Sequence, residues 1–584
     1  MISLPLVLSI LTFAPTDARF LGAGGGPLGA PAGFGPCIPP AERAEIARRL
    51  AASTVPVPVQ ASASPLLPTH SLGGNHDEDV HPGSFVDLDP APFAYHDFAC
   101  GDFSRDTHGG HDIGLRSFDE QAIGVAVFAV RPGVVKVAQD GFPDMNTAGG
   151  SGGNFVIVDH GGGEEGWYFH LRNGSVAVSV GQGVVAGQPL GLAASSGNSY
   201  GPHLHFEIQR HGAPREPSAG PCRPGPSDWA RQDPLDLQTA VTDVGVTATD
   251  LWTVPGLPFR WPTDSHLAFT DGALWIWAQG RNLPAGTKWK MRFVRPNGTL
   301  SFESATFDFG NPFWREFGVW TSWYVGEMHS IAGTWTIEWW FDGAPAIAVP
   351  VEVFPTKNPS FNRPPEPVTV AFDPATPSPH GALFARVAGP VALDDLDGDV
   401  VRFHWVWRVN GNVVRDVTTA GRADAIPQGS FAVGDTVLCT VTPSDGAASA
   451  APAQTTAVVA PDPWTNLGLA TFGLAGVPYL AGSGTLAAGS PGALDVAQAR
   501  PNAPSLLFVA LAANPVPALG GTLVPNPIVL QLPFTTDGQG AFHLPFLFPP
   551  GVPSGTTLAM QAWTADPTTA GGASATNGVI GLTP

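Results

Sequence analysis

The 584-residue chain is short of charge, of thiols and of long apolar runs. Charged residues make up only 13%, and the 28 Lys and Arg are outnumbered by 49 Asp and Glu, for a formal net charge of -21. Phosphate recognition needs clustered cations, so this balance argues against nucleic acid or an anionic membrane as partner. The four cysteines, Cys37, Cys100, Cys222 and Cys439, form no Cys-x-x-Cys pair, which argues against a thiolate zinc knot. Cys100 and Cys222 flank the histidine-bearing part of the chain and are placed to bridge its ends. Cys439 lies in the strand-like Thr436-Val437-Leu438-Cys439-Thr440-Val441 and reads as a free buried thiol. The one uninterrupted apolar run, Ile2 to Ala14, is too short to span a membrane comfortably. Small residues follow it, with Ala14 and Ala18 as candidate cleavage sites, although a basic leader is missing. Residues 1–18 are therefore read as a signal peptide. Export to the cell envelope or medium is expected, with no transmembrane span in the mature chain.

What the chain does have is glycine (71), proline (61) and aromatics (10%) within 43% hydrophobics, a composition of short strands and turns. Its length calls for several domains. Residues 19–95 read as an irregular arm or pro-segment with one helical island, Pro39 to Leu50, where proline precedes good helix formers. Residues 96–240 alternate short apolar strands with glycine turns, the pattern of antiparallel sheet. Residues 241–356 concentrate tryptophan and read as a β-sandwich whose tryptophans mostly fill the core; the other reading is a sugar- or wall-binding face. A proline-punctuated linker follows. Residues 368–460 carry Phe403-His404-Trp405-Val406-Trp407, as in an immunoglobulin-like sandwich, and an acidic turn at Asp395, Asp397 and Asp399. Such a turn is also able to hold calcium. Residues 463–584 read as a further β-domain. The expected fold class is mainly β: an antiparallel-sheet domain over residues 96–240 plus several β-sandwich, immunoglobulin-like domains.

The chemistry concentrates in five residues: His108, Asp112, His170, His203 and His205. Imidazole and carboxylate are the ligands zinc prefers, and this set is large enough to bind one ion and leave a position for water. His203 and His205 are two apart in His203-Leu204-His205-Phe206-Glu207, so a strand projects both from one face. The glycines of His108-Gly109-Gly110-His111-Asp112 allow a sharp path that lets His108 and Asp112 converge. His111, next to Asp112, should turn away. His160 reads as structural. Glu207 shares the face of His203 and His205 and is placed to support the site, as is the Tyr168 hydroxyl. The stretch Phe142 to Gly153 reads as either a wall of the cleft or a simple turn.

In this order the motifs resemble the lysostaphin-like zinc metallopeptidases, peptidoglycan endopeptidases of the duplicated-hybrid-motif fold. The residues that carry the resemblance are His108-Gly109-Gly110-His111-Asp112, Tyr168-Phe169-His170-Leu171 and Gly201-Pro202-His203-Leu204-His205-Phe206-Glu207, with Val156-Ile157-Val158-Asp159-His160-Gly161 between them. The resemblance covers about a quarter of the chain. It implies that His108, Asp112 and His205 bind Zn2+ and that His170 and His203 are the catalytic, non-ligand histidines; which of the two is the base stays open. No His-Glu-x-x-His occurs, so the glutamate base of other zinc peptidases is absent. The expected function is a secreted zinc metalloendopeptidase cutting peptide crosslinks of peptidoglycan or glycine-rich extracellular peptides. The alternative is a cell-envelope binding or adhesion protein in which zinc staples the fold.

Overall fold

The structure is a computed structural model that describes residues 18–29, 34–56, 67, 70–224, 227–254, 261–460, 462–471, 473–474 and 477–584. The signal-peptide reading of residues 1–18 lies outside the described residues except for Ala18. The fold is mainly β, in antiparallel sheets; among the described strands, His266–Ala268 and Ala344–Phe354 pair in parallel.

The site rests on an eight-stranded sheet. Its central strands run in the order His111–Leu115, His203–Arg210, Glu164–Phe169, Phe155–Gly161 and Gly133–Gln139, and Val80–Ser84 lies outside His111–Leu115. Alternation along the strands divides the sheet into two faces. Leu204, Phe206 and Ile208 pack on one side with Ile113, Val156, Val158 and Tyr168. His203, His205, Glu207 and Gln209 therefore face the other side, which also carries Phe155, Ile157, Trp167 and Phe169. The register sets His205 opposite both Asp112 and Phe169, and Glu207 opposite Trp167.

The helical island forms as expected, as α1, Pro40–Ala52. Proline opens it, Glu42 sits in its first turn and Arg49 in its last, each complementing the helix dipole. It lies over the site-bearing face of the sheet, where Ile38, Ile46 and Leu50 cover Val137, Phe155, Ile157, Trp167 and Phe169. The arm before it is not irregular throughout. Ala18–Pro27 forms a strand paired with Trp314–Val325 of the tryptophan block. Its glycines give no alternation for a sequence reading to catch. One of them meets a steric demand: a Cβ on Gly24 would stand 2.5 Å from the Trp320 ring.

A four-stranded sheet, made of Ala18–Pro27 and three strands of the tryptophan block, and a six-stranded sheet within that block enclose Trp289, Trp323, Trp335 and Trp339. Trp275, Trp277 and Trp320 are also buried, while Trp252 is exposed. Three- and four-stranded sheets between Thr369 and Val458 enclose Trp405 and Trp407. The strands after Trp464 form further small sheets around their own core. In the acidic turn Asp397 accepts from Arg363 Nε at 2.7 Å, and Asp395 accepts from the Asp397 backbone N–H at 2.8 Å. Cys100 and Cys222 are disulfide-bonded, and Cys439 is a free buried thiol. Among the described residues, no helix is long and apolar enough to cross a membrane.

Candidate active site

The five sequence-predicted residues meet at the edge where His111–Leu115 joins His203–Arg210. His108 Nε2 stands 3.2 Å from Asp112 Oδ1 and 3.3 Å from His205 Nδ1. Neighbouring donors around a tetrahedral zinc, with bonds of roughly 2.0–2.3 Å, stand roughly 3.3–3.6 Å apart. Two edges of the triangle thus already have the span that such an ion needs. The third, His205 Nδ1 to Asp112 Oδ1, is 2.7 Å, the length of a direct hydrogen bond. An ion entering there has to part that pair by roughly half an ångström.

The orientation of each ring is fixed by its far nitrogen. His108 Nδ1–H donates to the Phe85 carbonyl at 2.7 Å, which turns Nε2 inward. His205 Nε2–H donates to Glu207 at 2.9 Å, which leaves Nδ1 facing Asp112. A carboxylate behind a ring in this way raises its basicity and holds its tautomer. His170 Nδ1–H donates to the Ser196 carbonyl at 2.6 Å and His203 Nδ1–H to the Gly201 carbonyl at 2.8 Å. Both rings therefore present Nε2 to the same space, with centroids 4.5 Å apart. His203 Nε2 lies 3.7 Å from Asp112 Oδ1, and His170 Nε2 is buried with no hydrogen-bond partner. His170 also holds a left-handed backbone, φ 64°, a conformation costing on the order of 1–3 kcal/mol for a non-glycine residue.

The neighbours sort as the strand alternation dictates, with one correction. His111 turns away and donates to Glu216 at 2.9 Å. His160 is buried behind the sheet on the Pro132 carbonyl. Glu207 supports His205, accepts from Gln209 and takes both Nη groups of Arg43, at 2.6 and 3.0 Å. Tyr168 does not support the site. It is opposite Phe206 and faces the core, where its hydroxyl accepts from the Val130 N–H at 3.0 Å. The Phe142–Gly153 stretch packs on the loop before His203, through Asn146 N–H to the Ser195 carbonyl and Gly149 N–H to the Ser199 carbonyl, both 3.0 Å.

Sequence reasoning missed two residues in the site. Cys37, from the arm, places Sγ 3.5 Å from Asp112 Oδ1 and 3.8 Å from His203 Nε2. Arg105 Nη2 donates to both Cys37 Sγ and Asp112 Oδ2 at 2.7 Å. No local motif marks either one. The electrostatics are strong. Burial pushes the Asp112 carboxyl up, but His108 and Arg105 outweigh it and hold it well below the usual range. Burial likewise opposes ionisation of Glu207, yet its hydrogen bonds from His205 and Arg43 bring it down to about 2. For His170, burial, reinforced by the His203 charge, lowers the pKa and favours a neutral ring. The cluster is closed to solvent: Cys37 and His108 are 2% exposed, and Asp112, His170, His203 and His205 are 1% exposed. Donor atoms of Cys37, His108, Asp112 and His205 all lie within 4.8 Å of one another, as do those of Cys37, His170 and His203.

Known proteins are similar to the segment that carries most of this cluster. The sequence profile of peptidase family M23 matches residues 107–217. The glycyl-glycine endopeptidase ALE-1 of Staphylococcus capitis is 33% identical over 110 residues, 19% of this chain and 28% of that protein. The DD-carboxypeptidase/endopeptidase Mpg of Neisseria meningitidis serogroup B (strain ATCC 13091 / M2091) is 38% identical over 84 residues, 14% of this chain and 19% of that protein. The murein hydrolase activator EnvC of Escherichia coli (strain K12) is 48% identical over 60 residues, 10% of this chain and 14% of that protein. The chain thus spans less than a third of the length of each of these relatives. The shared part is the sheet that carries the histidine cluster, and residues 107–217 are a peptidase domain of family M23, the lysostaphin-like family.

Proposed function

We propose that the protein is an exported zinc metalloendopeptidase that hydrolyses peptide crosslinks of bacterial peptidoglycan or other glycine-rich peptides. The observation that carries this reading is the inward triangle of His108 Nε2, Asp112 Oδ1 and His205 Nδ1, with two further imidazole nitrogens aimed at the same space. The substrate class is supported by the similarity to ALE-1, a glycyl-glycine endopeptidase, and to Mpg, a DD-carboxypeptidase/endopeptidase.

His108, Asp112 and His205 would hold the ion. Zinc in such a set supplies Lewis acidity and makes a nearby water acidic enough to react at neutral pH. The chain does the rest. Glu207 keeps the proton of His205 on Nε2, so Nδ1 stays free to bind. His170 and His203, with Nδ1–H groups tied to carbonyls, offer Nε2 lone pairs for taking a proton and returning it to the leaving amine. Once protonated, either one stabilises developing negative charge on the carbonyl oxygen.

The test is metal content and hydrolysis of purified peptidoglycan by the full chain. His205→Ala is expected to lose both zinc and activity. His203→Ala is expected to keep the metal and lose activity by about 10²-fold or more, as expected for an acid–base group. Hydrolysis by His205→Ala refutes the reading, and metal loss from His203→Ala means that the ligands are reversed.

A second reading, an envelope-binding protein in which zinc staples the fold, draws on the solvent-closed cluster and its fourth donor, Cys37. Retention on insoluble wall without release of fragments from it would favour that reading.

A further inference from the structure

We infer that Cys37 is a fourth metal ligand supplied by the N-terminal arm, and that residues 34–52 form a latch that must leave before a peptide can enter. The inference rests on the zinc-peptidase reading above.

Three independent observations converge on it. The first is position. Cys37 Sγ joins His108, Asp112 and His205 in a four-donor group, and its 3.5 Å distance to Asp112 Oδ1 is the spacing expected of sulfur and oxygen donors on one tetrahedral ion. The surroundings are also wrong for a thiol that merely fills space. Cys37 is bordered by Arg105, Asp112 and His203, whereas Cys439 sits among Trp405, Trp407, Val437 and Val441.

The second observation is on the opposite side of the cluster. His170 Nε2 is an orphaned buried nitrogen, and Cys37 is the group facing it and His203 where substrate and water would have to sit. The Cys37 thiol thus fills the space onto which the two imidazoles open.

The third is the way in which the arm is held. Asn198 Nδ2–H, in the loop before His203, donates to the Pro36 carbonyl at 2.7 Å, and Phe34 meets Tyr200 edge-on at 5.6 Å. After Cys37, α1 lies along the face that holds His205 and Glu207. Ile46 is buried there, Arg43 is clasped by Glu207 and stacked over Trp167, and Arg49 donates to Gln139 at 2.7 Å. The same segment thus occupies the metal's fourth position and covers the sheet face beside it. Release is a ligand exchange without redox chemistry: the sulfur donor is replaced by water, the thiolate takes up a proton from solvent as the arm leaves, and Arg105 stays behind on Asp112.

The test is cobalt reconstitution of the full chain, with Cys37→Ala alone and combined with Ile46→Ala. Expected are a near-ultraviolet thiolate-to-cobalt band in the unaltered protein, its loss in Cys37→Ala with the metal still bound, and faster peptide hydrolysis by the zinc forms of the variants. Cobalt bound without the band removes Cys37 from the ligand set and leaves the proposed function standing. A band whose loss takes the metal with it, or brings no gain in hydrolysis in either variant, makes the thiolate a permanent structural ligand and overturns the latch. Failure to bind cobalt at all overturns the zinc reading itself, and the latch with it.

Discussion

Ile46 offers a way to loosen the arm without touching the metal site. Its side chain is 1% exposed in α1 and packs with Val137, Phe155, Ile157, Trp167 and Phe169. Truncating a buried isoleucine to alanine costs about 2–5 kcal/mol. Alanine is the better helix former, but that gain is only a few tenths of a kcal/mol, so the packing loss decides the sign. If about 3 kcal/mol falls on docking of α1, the undocked fraction rises by roughly 10²-fold, at 1.4 kcal/mol per decade. The measurement is the rate at which metal-free protein is alkylated at Cys37, read by peptide mapping, with Cys439 as internal control in a separate core. When redocking outpaces alkylation, that rate follows the undocked population. Ile46→Ala should therefore label Cys37 about one to two decades faster while Cys439 stays unchanged. Equal Cys37 rates in the variant and the unaltered protein would show that α1 does not hold the thiol in place. Equal acceleration at both cysteines would show global destabilisation instead.

Two further predictions follow from the polar groups. Glu207→Gln removes the carboxylate that holds His205 Nε2–H, and zinc affinity in competition with a chelator should fall by roughly 10–100-fold; unchanged affinity would deny Glu207 a role in positioning that ring. Burial raises Asp243 from 3.8 to about 7, partly offset by Arg116 and reinforced by Asp394 and Glu120. The folded protein thus binds this proton more tightly than the unfolded chain does, so stability should fall by a few kcal/mol as pH rises from about 4 to about 7. Asp243→Asn should flatten that limb of a denaturation series, and an unchanged slope would rule out Asp243 as its source.

The site was legible in the sequence because its chemistry is carried by short-range spacing. Strand alternation forces His203 and His205 onto one face and sends His111 and Leu204 elsewhere, whatever the rest of the chain does. The same rule, applied to Glu164–Phe169, would have turned Tyr168 into the core, since Trp167 and Phe169 share the site face. The strand-rich fold was legible from composition and turn residues. The arm was not. Gly-Ala-Gly-Gly-Gly carries no apolar period, and its pairing is dictated by a tryptophan strand nearly three hundred residues downstream. Cys37 was hidden for a related reason. Its partners come from distant strands, no neighbour sets a ligand spacing, and only the docking of α1 brings its sulfur to Asp112.

The pairing of Ala18–Pro27 with the tryptophan block gives the arm a second anchorage that does not depend on α1. Only nine residues separate the end of that strand from Cys37. A peeled-off helix would stay leashed beside its seat, and the sulfur would meet the metal at an effective concentration in the millimolar range, however dilute the protein. Opening of an intact chain should therefore be brief and self-reversing. A cut in the leash between strand and helix would turn it into a one-way event.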